Sequence, residues 1–292
     1  MDSSLHLQTP HFQASTLPDL SYFCPMPKRA LVLLSLICLG CNRNPYRASN
    51  KRYKQETKNL SAEIRQEPAD YFPQQDSPWI GAVNFDLRKP NFVIIHHTAQ
   101  NGCPETLHTF TIPQSQVSAH YVICKDGTVH HMLNDYLRAW QAGLSKWGNN
   151  TDINSSSIGI ELDNNGFEFF TDPQISSLLI LLDSLKNKYK IPQENFIGHG
   201  DIAPGRKVDP SWRFPWKTLA DHGFGTWWGD TSQVVVPAGF NDYQALRIIG
   251  YNIKDSLAAV AAFRRHWLQD SVYQVFDSAS EKILYDLSRK YQ

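Results

Sequence analysis

This sequence of 292 residues has no excess of either charge: 28 Lys and Arg stand against 28 Asp and Glu. A balanced chain carries no electrostatic footprint for nucleic acid, and that class of partner is excluded. No internal repeat or low-complexity tract runs through it. The H-E-x-x-H pattern of one large class of zinc peptidases is absent. The apolar run Ala30 to Leu39 is too short to cross a bilayer as a helix. Cysteine is scarce, with five residues. Of these, Cys103 and Cys124 lack a C-x-x-C neighbour, so neither points to a structural metal site. What is present is 41% hydrophobic residues, enough for one sizeable core and a smaller module.

The first residues divide in two. Residues 1–25 show no periodicity and read as an upstream extension, with Met26 as the natural start. Residues 26–41 place Lys28 and Arg29 before the apolar run and end it at Gly40-Cys41, the layout of a secretory signal. The cysteine after Gly40 resembles a bacterial lipobox, although Cys38 stands where Leu is usual. That likeness implies cleavage and lipid attachment at Cys41. An ordinary signal peptide with an incidental cysteine is the other reading. Export leaves Cys103 and Cys124 in an oxidising compartment, as one disulfide or as two buried thiols.

Residues 42–75 are polar, with few aliphatics, and read as a tether with room for a short helix. The body follows, over 76–230. Phe92 to Ile95 is a strand core. His120 to Ile123 and Thr128 to Leu133 flank Asp126-Gly127, a hairpin signal. Ser157 to Leu162 is another strand, and Asn195 to Gly198 a short one. Asp172 and Pro173 open a helix, as N-cap and first helical residue. It carries Leu178, Leu182, Leu185 and Tyr189 at helical spacing. Strands and helices intermix, so the fold class is α/β, with a central mixed sheet flanked by helices. Residues 235–292 contain three helical patterns, Asp242 to Ile249, Ser256 to Trp267 and Ser280 to Tyr291. They read as a small C-terminal three-helix bundle.

The stretch FVIIHHTAQ, Phe92 to Gln100, ends a buried strand in two adjacent imidazoles. His199 ends another strand in NFIGHG, and Asp209 lies ten positions on. Two imidazoles and a carboxylate suit Zn²⁺ and leave a fourth position for water, as in catalytic sites. Neighbouring strand side chains point to opposite faces, so His96 and His97 do not share one metal. His97 reads as cleft wall or packing.

IIHHTA, VSAHYVICKDGTV, NSSSIGIEL and GHGDIAPGRKVDP occur in that order. Together they resemble the type-2 zinc N-acetylmuramoyl-L-alanine amidases, a family that includes peptidoglycan recognition proteins, and within it the lipid-anchored outer-membrane branch. The resemblance implies His96, His199 and Asp209 as zinc ligands, Glu161 as general base and Lys207 as oxyanion stabiliser. It implies His120 as a support or substrate contact, with Trp140 and Trp147 lining the glycan or peptide groove. Ala119 stands where some relatives carry a catalytic tyrosine, which puts the burden on Glu161. Gln141 stands where relatives often have His, which puts a substrate contact in doubt. The C-terminal helices resemble peptidoglycan-binding modules; a purely structural appendage is the alternative.

The expected activity is zinc-dependent hydrolysis of the amide between N-acetylmuramic acid and L-alanine. The expected partners are peptidoglycan and muropeptides, and a membrane through the lipid anchor, for a monomer facing the periplasm from the outer membrane. A non-catalytic peptidoglycan-binding protein is the alternative, disfavoured because all three candidate ligands are kept.

Overall fold

The structure is a computed structural model and describes residues 44–65, 82–270 and 275–292. The signal-like stretch 26–41, with Cys41, lies outside the described residues. Residues 1–64 and 65–292 form two units. In the first, helix α1 (Arg47–Ile64) buries none of its residues. No helix among the described residues is long and apolar enough to cross a membrane.

The second unit is built on five strands: β1 (Phe92–His97), β2 (Tyr121–Ile123), β3 (Val129–His131), β4 (Ser157–Leu162) and β5 (Phe196–Gly198). Their order across the sheet is β3-β2-β4-β1-β5. All neighbours are parallel except the β2–β3 hairpin, closed by the Asp-Gly turn. The sheet is therefore mixed. Its central strands are apolar on both faces, as strands covered on both sides must be.

One face carries Val93, Ile95, Ile158, Ile160 and Phe196 and packs under α3 (Asp172–Tyr189) through Leu178, Leu182, Leu185 and Tyr189. Each such burial stabilises by about 1.5–3 kcal/mol. The N-cap of α3 is Thr171, whose hydroxyl accepts from Gln174 N at 3.3 Å; Asp172 and Pro173 are the first two helical residues. The cap thus sits one residue earlier than the sequence suggests, because Thr171 also donates to the Lys125 carbonyl of the hairpin.

The other face, with Ile94 and Ile197, joins one continuous core with the C-terminal helices α6 (Asp242–Ile249), α7 (Ser256–Phe263) and α8 (Ser278–Lys290). These three helices are the second cover of the sheet. Asn241, Asp255 and Asp277 cap them, each accepting from a backbone N–H three residues on. After Phe263, residues Arg264–Leu268 continue as a π-helical turn. Trp147 is wedged between sheet and helices, edge-on to Tyr251 at 5.0 Å. Gly250 permits this: a Cβ there would stand 2.5 Å from the indole.

Helix α2 (Cys103–Thr109) follows β1. Of the two states open for Cys103 and Cys124, the structure has the disulfide, with a Cα–Cα distance of 5.4 Å in the ordinary range. Two shorter helices complete the unit, α4 (His199–Ile202) and α5 (Trp216–Asp221).

Candidate active site

The carboxyl ends of three adjacent parallel strands meet at one edge of the sheet. His96 on β1 and Glu161 on β4 are register partners, so their side chains share a face. On the other side of β1, Ile95 pairs with Gly198, and His199 is the next residue. Three residues remote in sequence are thereby level with one another. Asp209 arrives from the following turn, held by Gly200 N–H donating to its carbonyl at 2.7 Å.

His96 Nδ1 lies 3.0 Å from His199 Nδ1 and 3.1 Å from Asp209 Oδ2, and His199 Nδ1 lies 3.0 Å from the same oxygen. All three side chains are buried. Their outer atoms are already committed. His96 Nε2 faces Gln141 Oε1 at 2.6 Å, and His199 Nε2 faces the Ala142 carbonyl at 3.1 Å. Gln141 is fixed in that orientation because its amide nitrogen donates to Ser157 Oγ at 2.7 Å, which donates to the Ile153 carbonyl at 2.7 Å. Both oxygens facing the imidazoles only accept, so both Nε2 atoms carry the proton and both Nδ1 atoms present lone pairs.

Three acceptors thus converge with no donor between them. Such a set is repulsive without a cation, and two imidazoles with one carboxylate suit a divalent transition metal. The residues present therefore fit a bound ion. The acidic surroundings call for positive charge at the same place, which a proton on His96 supplies when no ion does. Burial alone would lower His96, but the charges of Glu161 and Asp209 outweigh it and raise its pKa. His199 is pushed down to about 4 by burial and by His96. Asp209 stays well below the carboxylate range despite its burial, because both imidazoles face it.

Glu161 Oε1 lies 3.9 Å from His96 Nδ1, and Oε2 is buried with no hydrogen-bond partner. Burial pushes its carboxyl up to about 7. A carboxyl so poised can take and return a proton near neutral pH. Glu161, Asp209 and Lys207 line a cleft of about 320 Å³, with Trp140 on its rim at 56% exposed. The volume suits a small ligand.

The structure sets two of the expected residues away from the cleft. His120 is fully buried, Nε2 donating to the Leu137 carbonyl at 2.9 Å and Nδ1 accepting from Gly159 N at 3.1 Å. With both nitrogens spent on backbone it takes the supporting role, one of the two expected for it. Trp147 is 6% exposed and belongs to the core under the C-terminal helices, not to the groove. His97 is cleft wall: its Nδ1 accepts from Ser211 N at 3.1 Å.

Two residues outside the expected set matter. Gln141, expected only as a doubtful substrate contact, backs His96; Gly159 makes room for it, since a Cβ there would meet Gln141 Cγ at 2.7 Å. Asp201, in the short helix α4 that follows β5, joins that helix to the C-terminal helices. It accepts from Gly198 N at 2.8 Å, Tyr251 Oη at 2.7 Å and His266 Nδ1 at 2.6 Å. His266 is itself stacked on Trp216, centroids 3.9 Å apart. A buried Asp just after a strand-end His was the available signal.

Comparison with known proteins agrees with this architecture. Residues 86–212 match the family described as N-acetylmuramoyl-L-alanine amidase. The chain is 34% identical over 148 residues to the 1,6-anhydro-N-acetylmuramyl-L-alanine amidase AmpD of Escherichia coli (strain K12), covering 45% of this chain and 81% of that protein. It is 36% identical over 151 residues to the N-acetylmuramoyl-L-alanine amidase AmiD of the same organism, covering 46% of this chain and 54% of the relative. The match thus spans little more than half the length of AmiD. Among solved structures, AmiD from E. coli in complex with the substrate anhydro-N-acetylmuramic acid-L-Ala-D-gamma-Glu-L-Lys aligns with TM-score 0.63 and 28% identity, covering 72% of this chain and 93% of that one. AmpDh3 from Pseudomonas aeruginosa, in complex with an anhydromuramic pentapeptide, aligns with TM-score 0.63 and 26% identity, covering 75% and 99%. The chain belongs to the N-acetylmuramoyl-L-alanine amidase family.

Proposed function

We propose that this chain hydrolyses the amide between the lactyl carboxyl of N-acetylmuramic acid and the amine of L-alanine, in peptidoglycan or its fragments. The observation that carries the reading is the convergence of three acceptor atoms, from His96, His199 and Asp209, beside the unpartnered oxygen of Glu161. Relatives whose names and structures carry muropeptide substrates support the substrate class. The ion is Zn²⁺, held by those three residues. When bound it supplies Lewis acidity, polarising the substrate carbonyl and lowering the pKa of water toward about 7.

The remaining work falls to side chains of this protein. Glu161 Oε2 takes a proton from the attacking water and returns it to the departing alanine nitrogen. The amide C–N bond breaks as the new C–O bond forms, leaving a carboxylate and a free amine. Lys207 faces the oxyanion that develops on the carbonyl, a contribution of roughly 3 kcal/mol for one donor. Trp140 offers an exposed aromatic face on which a sugar or stem peptide packs.

The lipobox-like start places the mature protein at the outer membrane, anchored through Cys41 and facing the periplasm, with 42–75 as its tether. The test is mass spectrometry of muropeptides incubated with the protein, with and without a chelator. Stem peptides beginning at L-alanine, abolished by chelation and restored by zinc, are the expected result. Intact muropeptides at saturating zinc would instead leave a binding protein.

A further inference from the structure

A second hollow, of about 490 Å³, opens on a different stripe of α2 from the one that lines the catalytic cleft. Cys103, Cys124, His130 and Asp163 line it. The two Sγ atoms and a ring nitrogen of His130 lie within 4.8 Å of one another. His130 is carried there by the hairpin, as the register partner of Val122 two residues before Cys124. Asp163 is 4% exposed, and its Oδ1 is buried without a hydrogen-bond partner. The disulfide satisfies the cysteines but not this oxygen.

We infer that Cys103, Cys124 and His130 form a second, redox-gated site for a thiophilic divalent ion such as Zn²⁺, with Asp163 in its wall, closed while the disulfide stands and open when it is reduced. Two thiolates and an imidazole are a zinc ligand set, with a solvent molecule accepted as the fourth. Zn–S near 2.3 Å and Zn–N near 2.0–2.1 Å put tetrahedral ligands roughly 3.5–3.8 Å apart. The trio meets this spacing once the sulfurs part, with small side-chain rotations and the Cα atoms left 5.4 Å apart.

The chemistry balances. An external dithiol reduces the protein disulfide to two thiols and becomes a cyclic disulfide. The two thiols then lose two protons to solvent, and their sulfurs bind the ion with His130. Exchange with an external disulfide, which is itself reduced to two thiols, reverses the sequence and releases the ion. In either state the first turn of α2 is fastened to the end of β2. Because Thr106, Thr109 and Phe110 of that segment line the catalytic cleft, the cleft wall keeps its anchor across a change of redox conditions.

Cobalt separates this site from the catalytic one, whose candidate ligands contain no sulfur. The full chain would be loaded with Co²⁺ without oxygen, either as isolated or after a phosphine reductant has been applied and removed. The expected result is a rise from one to two ions per chain on reduction, with a thiolate-to-cobalt charge-transfer band in the near ultraviolet. One ion should leave on reoxidation. Cys103→Ser with Cys124→Ser should abolish the band and keep one ion. His130→Ala should weaken the second ion at least about tenfold. Equal metal content in both redox states, or a band indifferent to His130→Ala, overturns the inference. So does a reduced parent chain that unfolds and takes up no second ion, which also covers variants that fail to fold.

Discussion

Two buried polar clusters sit at opposite regions of the sheet, and their hydrogen-bond balance differs. At Asp135, donors match acceptors: Oδ1 accepts from Tyr121 Oη at 2.7 Å and His131 Nε2 at 3.2 Å, and Oδ2 from Tyr189 Oη at 2.7 Å and Lys188 Nζ at 3.1 Å. At His96, His199 and Asp209, acceptors meet acceptors. The first cluster is complete as it stands and its work is stability. The second is complete only around a cation. Counting donors against acceptors, rather than counting polar residues, separates a structural network from a candidate site.

That contrast can be broken at several points. The largest effect is expected at Glu161. Glu161→Gln removes the base without touching the trio, and hydrolysis of a muropeptide should fall by about 10²–10⁴-fold with metal content unchanged. Equal rates would remove Glu161 from the chemistry. Next comes the support behind the trio: Gln141→Ala frees the His96 ring and should weaken metal affinity by about 10–100-fold in a chelator competition. An unchanged affinity would show that the ring is held by packing alone.

At the balanced cluster the readout reverses. Asp135→Ala strands the hydroxyls of Tyr121 and Tyr189 and should cost about 1–3 kcal/mol in denaturant unfolding, with metal content kept. A smaller pH effect follows. Burial raises the Asp135 carboxyl, but the hydroxyls of Tyr189 and Tyr121 and the Lys188 ammonium outweigh it, so its folded pKa lies below its ordinary value. Its stabilisation is present above the unfolded carboxylate pKa near 3.9 and is lost as pH falls through the lower folded value. Acid unfolding should therefore be steeper in the parent than in Asp135→Ala; parallel curves would mean that the carboxylate is unpaired in solution.

The strands were legible because their apolar runs are short and bounded by histidines, Asp-Gly or Pro. The trio was legible because each candidate ends or follows a strand within a recognisable string. Trp147 was not, since an indole serves a groove or a core equally well and only the packing of Gly250 and Tyr251 decides. His120 stayed open between support and contact for a related reason: an imidazole with two backbone partners looks, in sequence, like one with a ligand. The tie from Asp201 to Tyr251 and His266 spans 50 and 65 positions, a distance that local pattern does not reach.

The family model ends at residue 212, whereas the solved relatives align over 72–75% of the chain, and the core under β1 and β5 is closed by Ala245, Leu246, Val260, Phe263 and Leu284. The boundary of the family model and the boundary of the packing thus differ here. A chain cut near residue 230 would present the underside of Ile94, Ile197 and Trp147 to water. Its fate would be self-association rather than a smaller enzyme, because the missing helices are the floor on which the sheet rests.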